Sequence, residues 1–250
     1  MIVSSMSEYK TKSVVLITRP QQDARALELI LQERGFTPLL APIFKISYMS
    51  GGEPSLRGVQ ALIFTSANGV RAFFSRVGVV SLPAFTVGEV TAAVARSNGL
   101  IQTESAGGNV GDLADLLMSR CKPELGNLLH IAGSNVTGHL GNILSSAGYQ
   151  YTREVFYKAI KVPMLDHLCQ RTIARGHVDF VLFYSPRTAE CFVELAMAAG
   201  LNEEFETSVA LCLSDAVALK LQKLPWRRIV TASAPNQAAL LTALENQKPQ

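Results

Sequence analysis

Apolar positions along the chain alternate between short continuous runs and longer amphipathic stretches. The run Val14–Ile17 is rich in β-branched residues, which is typical of a parallel strand covered on both faces. The stretch behind it predicts a helix that begins near Pro20 and stops at Gly35. Its apolar residues share one helical face: Ala24, Leu27, Ile30 and Leu31.

The same alternation continues through the first half of the chain. Residues 37–48 are predicted to be extended, and strands are predicted at 61–64 and 84–87. Helices are predicted from about Gly69, after Gly88 and from Asn109. Strands that alternate with helices indicate a parallel sheet with helices on both faces.

The second half repeats these units in the same order, with offsets that grow slowly along the chain. The matches include Leu16 with Leu129, Gly35 with Gly148, Phe64–Ser66 with Phe183–Ser185, Gly88 with Ser214, and Asn109 with Asn236. We therefore predict one duplicated unit with loop insertions, each copy large enough for a flavodoxin-sized sheet. The copies could divide in tandem near 121–123, or the chain could cross between lobes at paired extended segments, 39–48 and 153–162. The periodicity leaves both divisions open.

Composition excludes several classes of protein. Apolar residues make up 48% and charged residues 17%, which is too apolar for a disordered chain. Lysine and arginine number 23 against 20 acidic residues, and the longest basic cluster is Arg227–Arg228, so no nucleic-acid partner is expected. No apolar stretch has the length of a membrane span or a signal peptide, so we expect a cytoplasmic protein without a membrane partner.

The cysteines and histidines give no sign of a metal site or a disulfide framework. Cys121, Cys169, Cys191 and Cys212 lie far apart, and reduced thiols packed in the core are expected. The four histidines lack metal-ligand spacing, and His130 is expected to be a hydrogen-bonded core residue. Nucleotide-binding glycine motifs and the nucleophile elbow are also missing, so no metal and no cofactor are expected.

Small polar side chains follow several predicted strands, where ligands bind in doubly wound sheets. They occur at 18–20, 65–68, 88–89, 133–135, 185–188 and 214–215. Such side chains beside the free N–H groups of a helix N-terminus favour an anionic ligand. Ser66, Ser185 and Ser214 also fit the simpler role of helix N-caps, and the two roles are compatible.

Two larger side chains are candidates for chemistry. Arg19 directly follows a strand, where its guanidinium could bind a carboxylate with two hydrogen bonds or form a weak surface ion pair. Tyr157 lies in the second extended segment. If that segment joins two lobes, its phenol faces the cleft as a proton donor; otherwise it is an aromatic packing residue of a strand.

The motifs resemble those of the uroporphyrinogen-III synthase family, in order and in spacing. The matching segments are 15–20, 41–46, 63–70, 87–92 and 183–189, and the resemblance covers the chain except the first dozen residues and the tail. It implies two flavodoxin-like parallel-sheet α/β lobes joined by a two-stranded β ladder hinge, with ligand sites between the lobes. Residues 1–40 and 163–250 would form the first lobe, 52–152 the inserted second lobe, and 41–51 and 153–162 the hinge strands.

The resemblance also implies a cofactor-free reaction on one small-molecule partner, by a monomer. Linear hydroxymethylbilane loses water and closes to uroporphyrinogen III, with its last pyrrole ring inverted through a spiro-pyrrolenine. The substrate carries acetate and propionate groups and would be held by hydroxyls and backbone N–H groups. The alternative is a non-catalytic two-lobed protein that binds an acidic small ligand.

Family roles carry over onto individual positions of this chain. Tyr157 matches the tyrosine proposed to assist loss of the substrate hydroxyl. Thr91, Ser66 and Ser185 match cleft hydroxyls, and Arg19 matches the arginine of the first motif. One departure is the turn 214–217, where Val217 replaces a family threonine, so that Ser214 would have to make that contact.

Overall fold

The computed structural model describes residues 12–135 and 139–248. The strands are β1 Val14–Ile17, β2 Thr37–Leu40, β3 Phe44–Tyr48, β4 Val59–Phe64, β5 Ala84–Thr86, β6 Thr103–Ser105, β7 Asn127–Gly133, β8 Tyr151–Lys161, β9 Phe180–Phe183, β10 Val209–Cys212 and β11 Arg228–Thr231. The helices are α1 Gln21–Glu33, α2 Ala67–Arg76, α3 Glu89–Ser97, α4 Val110–Arg120, α5 Leu140–Ser146, α6 His167–Ala174, α7 Pro186–Ala198, α8 Asp215–Ala218 and α9 Gln237–Glu245.

The chain divides into two compact units. The first contains the described residues up to Lys45 and those from Lys161 onward, and the second is Ile46–Ile160. The chain therefore leaves the first unit within β3 and returns to it at the end of β8. Residues 121–123, the alternative tandem boundary, lie inside the second unit.

Five of the described strands form the parallel sheet of the first unit, in the order β11-β10-β9-β1-β2. This is the flavodoxin-like order, in which the chain reverses direction across the sheet beside its first strand. Apolar residues of β1, α1 and α9 pack on one face, including Ile17, Leu31 and Leu240. The other face carries edge-to-face and tilted aromatic contacts among Phe183, Phe192, Phe205 and Trp226. The low aromatic content gave no indication of this cluster.

The second unit contains a sheet in the order β3-β8-β7-β4-β5-β6 among the described strands. The pairs from β8 to β6 are parallel. β3 runs antiparallel to β8, because Met49 N donates to Phe156 O whereas Val162 N donates to Ile43 O. Successive residues of β4 face opposite sides, as the strand period requires: Leu62 and Phe64 enter one core, and Ala61 and Ile63 the other.

Each of the two sheets contains strands from both copies of the sequence repeat. The first sheet combines β1 and β2 from the first repeat with β9–β11 from the second, and the second sheet combines β4–β6 with β7 and β8. Matching strands occupy matching places: β1 and β7 are central, and β2 and β8 flank them. Each sheet is therefore assembled from parts of both copies.

Local capping chemistry sets the helix ends. Ser66 caps α2, and its Oγ accepts from Asn68 N at 3.2 Å, so α2 begins at Ala67, two residues before the position predicted from sequence. Pro20 is the N-cap of α1 rather than a residue of its first turn. The repeat-matched glycines Gly35 and Gly148 end α1 and α5 with φ of 81° and 84°, a conformation that glycine adopts without a Cβ clash.

The sequence predicts reduced cysteines in the core and no membrane-spanning segment, and the structure bears on both. The four cysteines are free; Cys121, Cys169 and Cys212 are buried, as predicted, and Cys191 is half-buried. Over the described ranges, helices that combine the length and the hydropathy of a bilayer span do not occur.

Candidate functional site

A cleft of about 400 Å³ opens at the carboxyl edge of the second unit's sheet. It lies where β4, β5 and β7 end and where α2 and α4 begin, beside the middle of β8. The lining residues are Thr65, Ser66, Val87, Gly108, Asn109, Val110, Gly133, Asn135 and Tyr157. Two of the residues singled out from the sequence, Ser66 and Tyr157, therefore line one cavity.

An irregularity in the strand pairing places Tyr157 at this cleft. Ala132 pairs with Val155 but Gly133 pairs with Tyr157, so Phe156 is an extra residue on β8. Phe156 is buried in the core, while the Tyr157 backbone carbonyl accepts from Ser134 N at 2.9 Å. The bulge thus separates a buried phenyl ring from a phenol at the cleft.

Gly133 provides the surface on which the Tyr157 ring rests. A Cβ at Gly133 would lie 2.8 Å from Cζ and 3.1 Å from Oη of Tyr157, closer than real carbon contacts allow. The ring therefore lies directly on the bare backbone of β7. Any larger residue at this position would displace the phenol.

The N-termini of two helices border the cleft through their caps. Ser66 caps α2, and Asn109 caps α4 with Oδ1 accepting from Gly111 N at 2.7 Å and Asp112 N at 3.1 Å. Asp112 Oδ2 accepts in turn from Asn109 N at 3.0 Å, which completes a capping box. Hydroxyl, amide and helix-terminal N–H groups at one cavity favour an anionic ligand.

His130 lies beneath the cleft floor on β7 and is 0% exposed. Its Nε2 lies 3.1 Å from Thr65 Oγ1, and its Nδ1 lies 2.6 Å from Tyr151 Oη. Burial first, and then the charge of Arg153, lowers the pKa of His130 to about 4. The imidazole is therefore neutral near pH 7, and the expected hydrogen-bonded core histidine is confirmed.

Arg153 holds the loop behind the cleft. Its Nη2 donates to Gly133 O at 2.6 Å and to Ser134 O at 3.2 Å, the carbonyls at the end of β7. These contacts fix the backbone against which Tyr157 rests.

Thr91 occupies a different place in the second unit. It lies in the first turn of α3, where its backbone N donates to Gly88 O at 3.1 Å, and it is 7% exposed. It is not among the residues that line the cleft.

Arg19, Ser185 and Ser214 lie at the carboxyl edge of the first unit's sheet. Arg19 follows β1; its Nη1 donates to Gln237 Oε1 at 3.1 Å, and its Cζ lies 4.4 Å from the ring centre of Tyr184. Within the described ranges no acidic side chain pairs with Arg19, so the guanidinium is held by an amide and an aromatic ring rather than by a surface ion pair.

Tyr184 has a buried hydroxyl that lies beside the guanidinium of Arg19. Burial raises the pKa of Tyr184 to about 12, although the charge of Arg19 acts in the opposite direction. The phenol therefore stays protonated beside the cation.

The two serines of this edge differ in their caps. Ser185 Oγ accepts from Thr188 N at 3.1 Å at the start of α7, whereas the side chain of Ser214 makes no cap hydrogen bond to α8. Val217 is 1% exposed and packs inside the unit.

The residues that hold Arg19 and His130, except Thr65, escaped the sequence analysis. Tyr184 and Gln237 hold Arg19, and Thr65 and Tyr151 hold His130. The repeat alignment already placed Tyr184 opposite Thr65, and that match was the available signal for both groups. Over the described residues, no three potential metal ligands come together.

Comparisons with known proteins agree with this architecture. A sequence model of the family described as uroporphyrinogen-III synthase HemD matches residues 25–242. Solved structures similar to this chain include the uroporphyrinogen-III synthetase of Helicobacter pylori 26695, with a TM-score of 0.62 and 19% identity over 95% of this chain and 100% of that one. Another is a mutant uroporphyrinogen III synthase of the extremely thermophilic bacterium Thermus thermophilus, with a TM-score of 0.50 and 18% identity over 94% and 98%. A comparison with curated proteins found no significant match.

The two structural likenesses establish the fold of two α/β units. The sequence model extends over most of the chain, and the matched residues include Ser66, Thr91, Tyr157, Ser185 and Ser214 but not Arg19. The chain therefore belongs to the uroporphyrinogen-III synthase family.

Proposed function

We propose that the cleft of the second unit is where the substrate hydroxyl leaves, with Tyr157 as the proton donor. The family are lyases that convert hydroxymethylbilane to uroporphyrinogen III. The observation that carries the proposal is the position of the Tyr157 phenol, which lines the cleft beside Ser66 and rests on Gly133.

The composition of the cleft supports this assignment. Among the described residues that line it, Tyr157 alone has an ionisable side chain; the others are hydroxyl, amide, glycine and valine residues. Departure of hydroxide leaves an azafulvenium cation on the substrate, and protonation of the departing oxygen lowers the barrier. The pyrrole nitrogen supplies the electron pair, and water is the product.

The remaining polar groups suit a substrate with many carboxylates. In this proposal Ser66 and Asn109 bind carboxylates at the cleft, and Thr91 contributes at the start of α3. Arg19, Ser185 and Ser214 bind further carboxylates at the carboxyl edge of the first unit. Tyr184 and Gln237 hold Arg19 without neutralising it, which keeps its charge available for a bidentate contact.

Four further expectations remain proposals drawn from the sequence. The chain works as a monomer in the cytoplasm, with hydroxymethylbilane as its small-molecule partner and no cofactor. Light scattering on the purified protein, with and without substrate, tests the oligomeric state; a stable dimer would contradict it.

The reaction is tested by incubating the protein with fresh hydroxymethylbilane and separating the oxidised porphyrin isomers. Spontaneous closure gives the uninverted isomer I, so the protein must raise the share of isomer III. An isomer ratio equal to that without protein would remove the enzymatic function and leave the non-catalytic binding protein.

The role of Tyr157 is tested by Tyr157→Phe, which keeps the ring on Gly133 and removes the hydroxyl. A general acid contributes roughly 10²- to 10⁴-fold, so kcat should fall within that range while the melting temperature stays near that of the wild type. Tyr48→Phe, on the neighbouring strand β3, is the matched control and should keep its kcat. A folded Tyr157→Phe enzyme with unchanged kcat would reduce Tyr157 to a packing residue.

A further inference from the structure

His130, which is buried, connects the half-buried Tyr151 to a hydroxyl at the cleft. Ile63 on β4 and Arg153 on β8 are its registered neighbours across the sheet. The imidazole reaches Thr65 Oγ1 with Nε2 and Tyr151 Oη with Nδ1, and both contacts are within hydrogen-bond distance. Thr65 lines the cleft, so the chain Tyr151–His130–Thr65 runs from the core to the cavity.

A neutral imidazole has one N–H group and one lone pair, so one of its two hydrogen bonds is donated and the other is accepted. The direction of the hydrogen bond with Tyr151 therefore decides the direction of the hydrogen bond with Thr65. If Tyr151 donates to Nδ1, the proton is on Nε2, and Nε2–H donates to Thr65. The Thr65 hydroxyl hydrogen is then free to point into the cleft. In the opposite arrangement Thr65 donates to Nε2 and offers only oxygen lone pairs to a ligand.

The acidity of the tyrosine favours the first direction. A phenol is a stronger acid than an aliphatic hydroxyl, although burial raises the pKa of Tyr151, and it is the better donor to a ring nitrogen, in agreement with the short 2.6 Å separation. The Tyr151 ring is also held in place, because a Cβ at Gly141 on α5 would lie 2.8 Å from Cε1 of Tyr151. The tyrosine hydroxyl therefore stays at Nδ1.

We propose that His130 is a positioning residue that, together with Tyr151, fixes the Thr65 hydroxyl as a hydrogen-bond donor to a carboxylate of the substrate in the cleft. The identity of the substrate rests on the proposed function; the direction of the hydrogen bonds does not. The family reaction needs substrate carboxylates to be held while the ring inverts, and a donor with a fixed direction binds them without an added positive charge.

The direction of the hydrogen bonds is tested by finding which ring nitrogen of His130 carries the proton, from the ¹⁵N spectrum of histidine-labelled wild-type protein. His130 is assigned by the loss of its signals in His130→Gln; the other histidines, 139, 167 and 177, are exposed. We expect a protonated Nε2 and an unprotonated Nδ1 at neutral pH. In Tyr151→Phe the share of the Nδ1-protonated form should rise. A wild-type spectrum with the proton on Nδ1 would overturn the proposal.

Kinetics separate positioning from a structural role. Tyr151→Phe and Thr65→Val should raise KM about three- to tenfold, the value of one hydrogen bond, while kcat changes by less than about twofold. Thr65→Ser restores the hydroxyl and should restore KM. The matched control is Tyr149→Phe, which removes the hydroxyl of another tyrosine, bonded to Cys121 O at 2.9 Å, away from the cleft.

The control variant should lose stability but keep its KM. An unchanged KM in folded Tyr151→Phe, or an equal rise in Tyr149→Phe, would refute the proposal. An inactive wild-type enzyme would instead refute the proposed function, because the tautomer is observed without turnover.

Discussion

His130 is held as a neutral imidazole inside the second unit, while the unfolded chain exposes it to water. Its pKa is about 4 in the folded protein and near the ordinary 6.5 when unfolded. The unfolded state therefore binds the proton first as the pH falls. Stability associated with this group is complete above pH 6.5 and is lost progressively down to about pH 4.

We expect the free energy of unfolding to fall by about 2 to 3 kcal/mol from this residue between pH 7.5 and pH 4.5, the order of magnitude given by the pKa difference. Urea unfolding of the wild type and of His130→Gln at both pH values gives the free energy of unfolding that each protein loses. The difference between the two losses is the contribution of His130. His167→Gln, at an exposed position, should lose as much as the wild type. Equal losses in all three proteins would show that His130 is not buried as a neutral group.

Several helices of this fold begin where a side chain accepts a hydrogen bond from one of their free N–H groups. α4 has a full capping box between Asn109 and Asp112, while its repeat counterpart α9 has the single cap Asn236, whose Oδ1 accepts from Ala239 N at 2.9 Å. Two helices in matching positions of the sequence repeat thus differ in the number of hydrogen bonds at their start.

Asn109→Ala should lower the free energy of unfolding by about 1 to 2 kcal/mol, because it leaves two N–H groups of α4 without their acceptor. Asn236→Ala removes one hydrogen bond and should cost about 1 kcal/mol or less. Thermal or urea unfolding monitored by circular dichroism gives both values. A larger loss for Asn236→Ala would contradict the role of the capping box.

Local features of this kind could be predicted from the sequence, since a side-chain cap joins residues only two or three apart. Asn109, Ser66 and the repeat-matched glycines were identified in this way. The bulge that directs Tyr157 to the cleft could not, because it depends on the register between β7 and β8. The stack of Arg19 on Tyr184 was missed for the same reason: it requires β1 to pair with β9, and periodicity does not specify strand partners.

At the scale of the molecule, each unit has its own apolar cores. Among the described residues, two core clusters lie wholly within Ile46–Ile160, and a cluster of the first unit is drawn from both ends of the chain. The second unit is thus continuous in sequence and the first is not.

A fragment of residues 46–160 should therefore fold alone, with one cooperative urea transition. A fragment of residues 161–250 is the control; it lacks β1 and β2, so β9 loses its neighbour and no cooperative transition is expected. Circular dichroism at increasing urea concentration distinguishes them. A non-cooperative 46–160 fragment would show that its cores depend on the rest of the chain.

The exchange of strands between the two sheets also sets the order of events on the ribosome. Thr18, at the end of β1, donates to Leu182 O, 164 residues further along the chain. At ~5–20 residues per second, about 10 to 30 s pass before that partner is synthesised. The second unit is complete before then, whereas the apolar run Val14–Ile17 waits without β9. During that interval this run can pair with a wrong strand, and a chaperone that covers it would prevent such pairing.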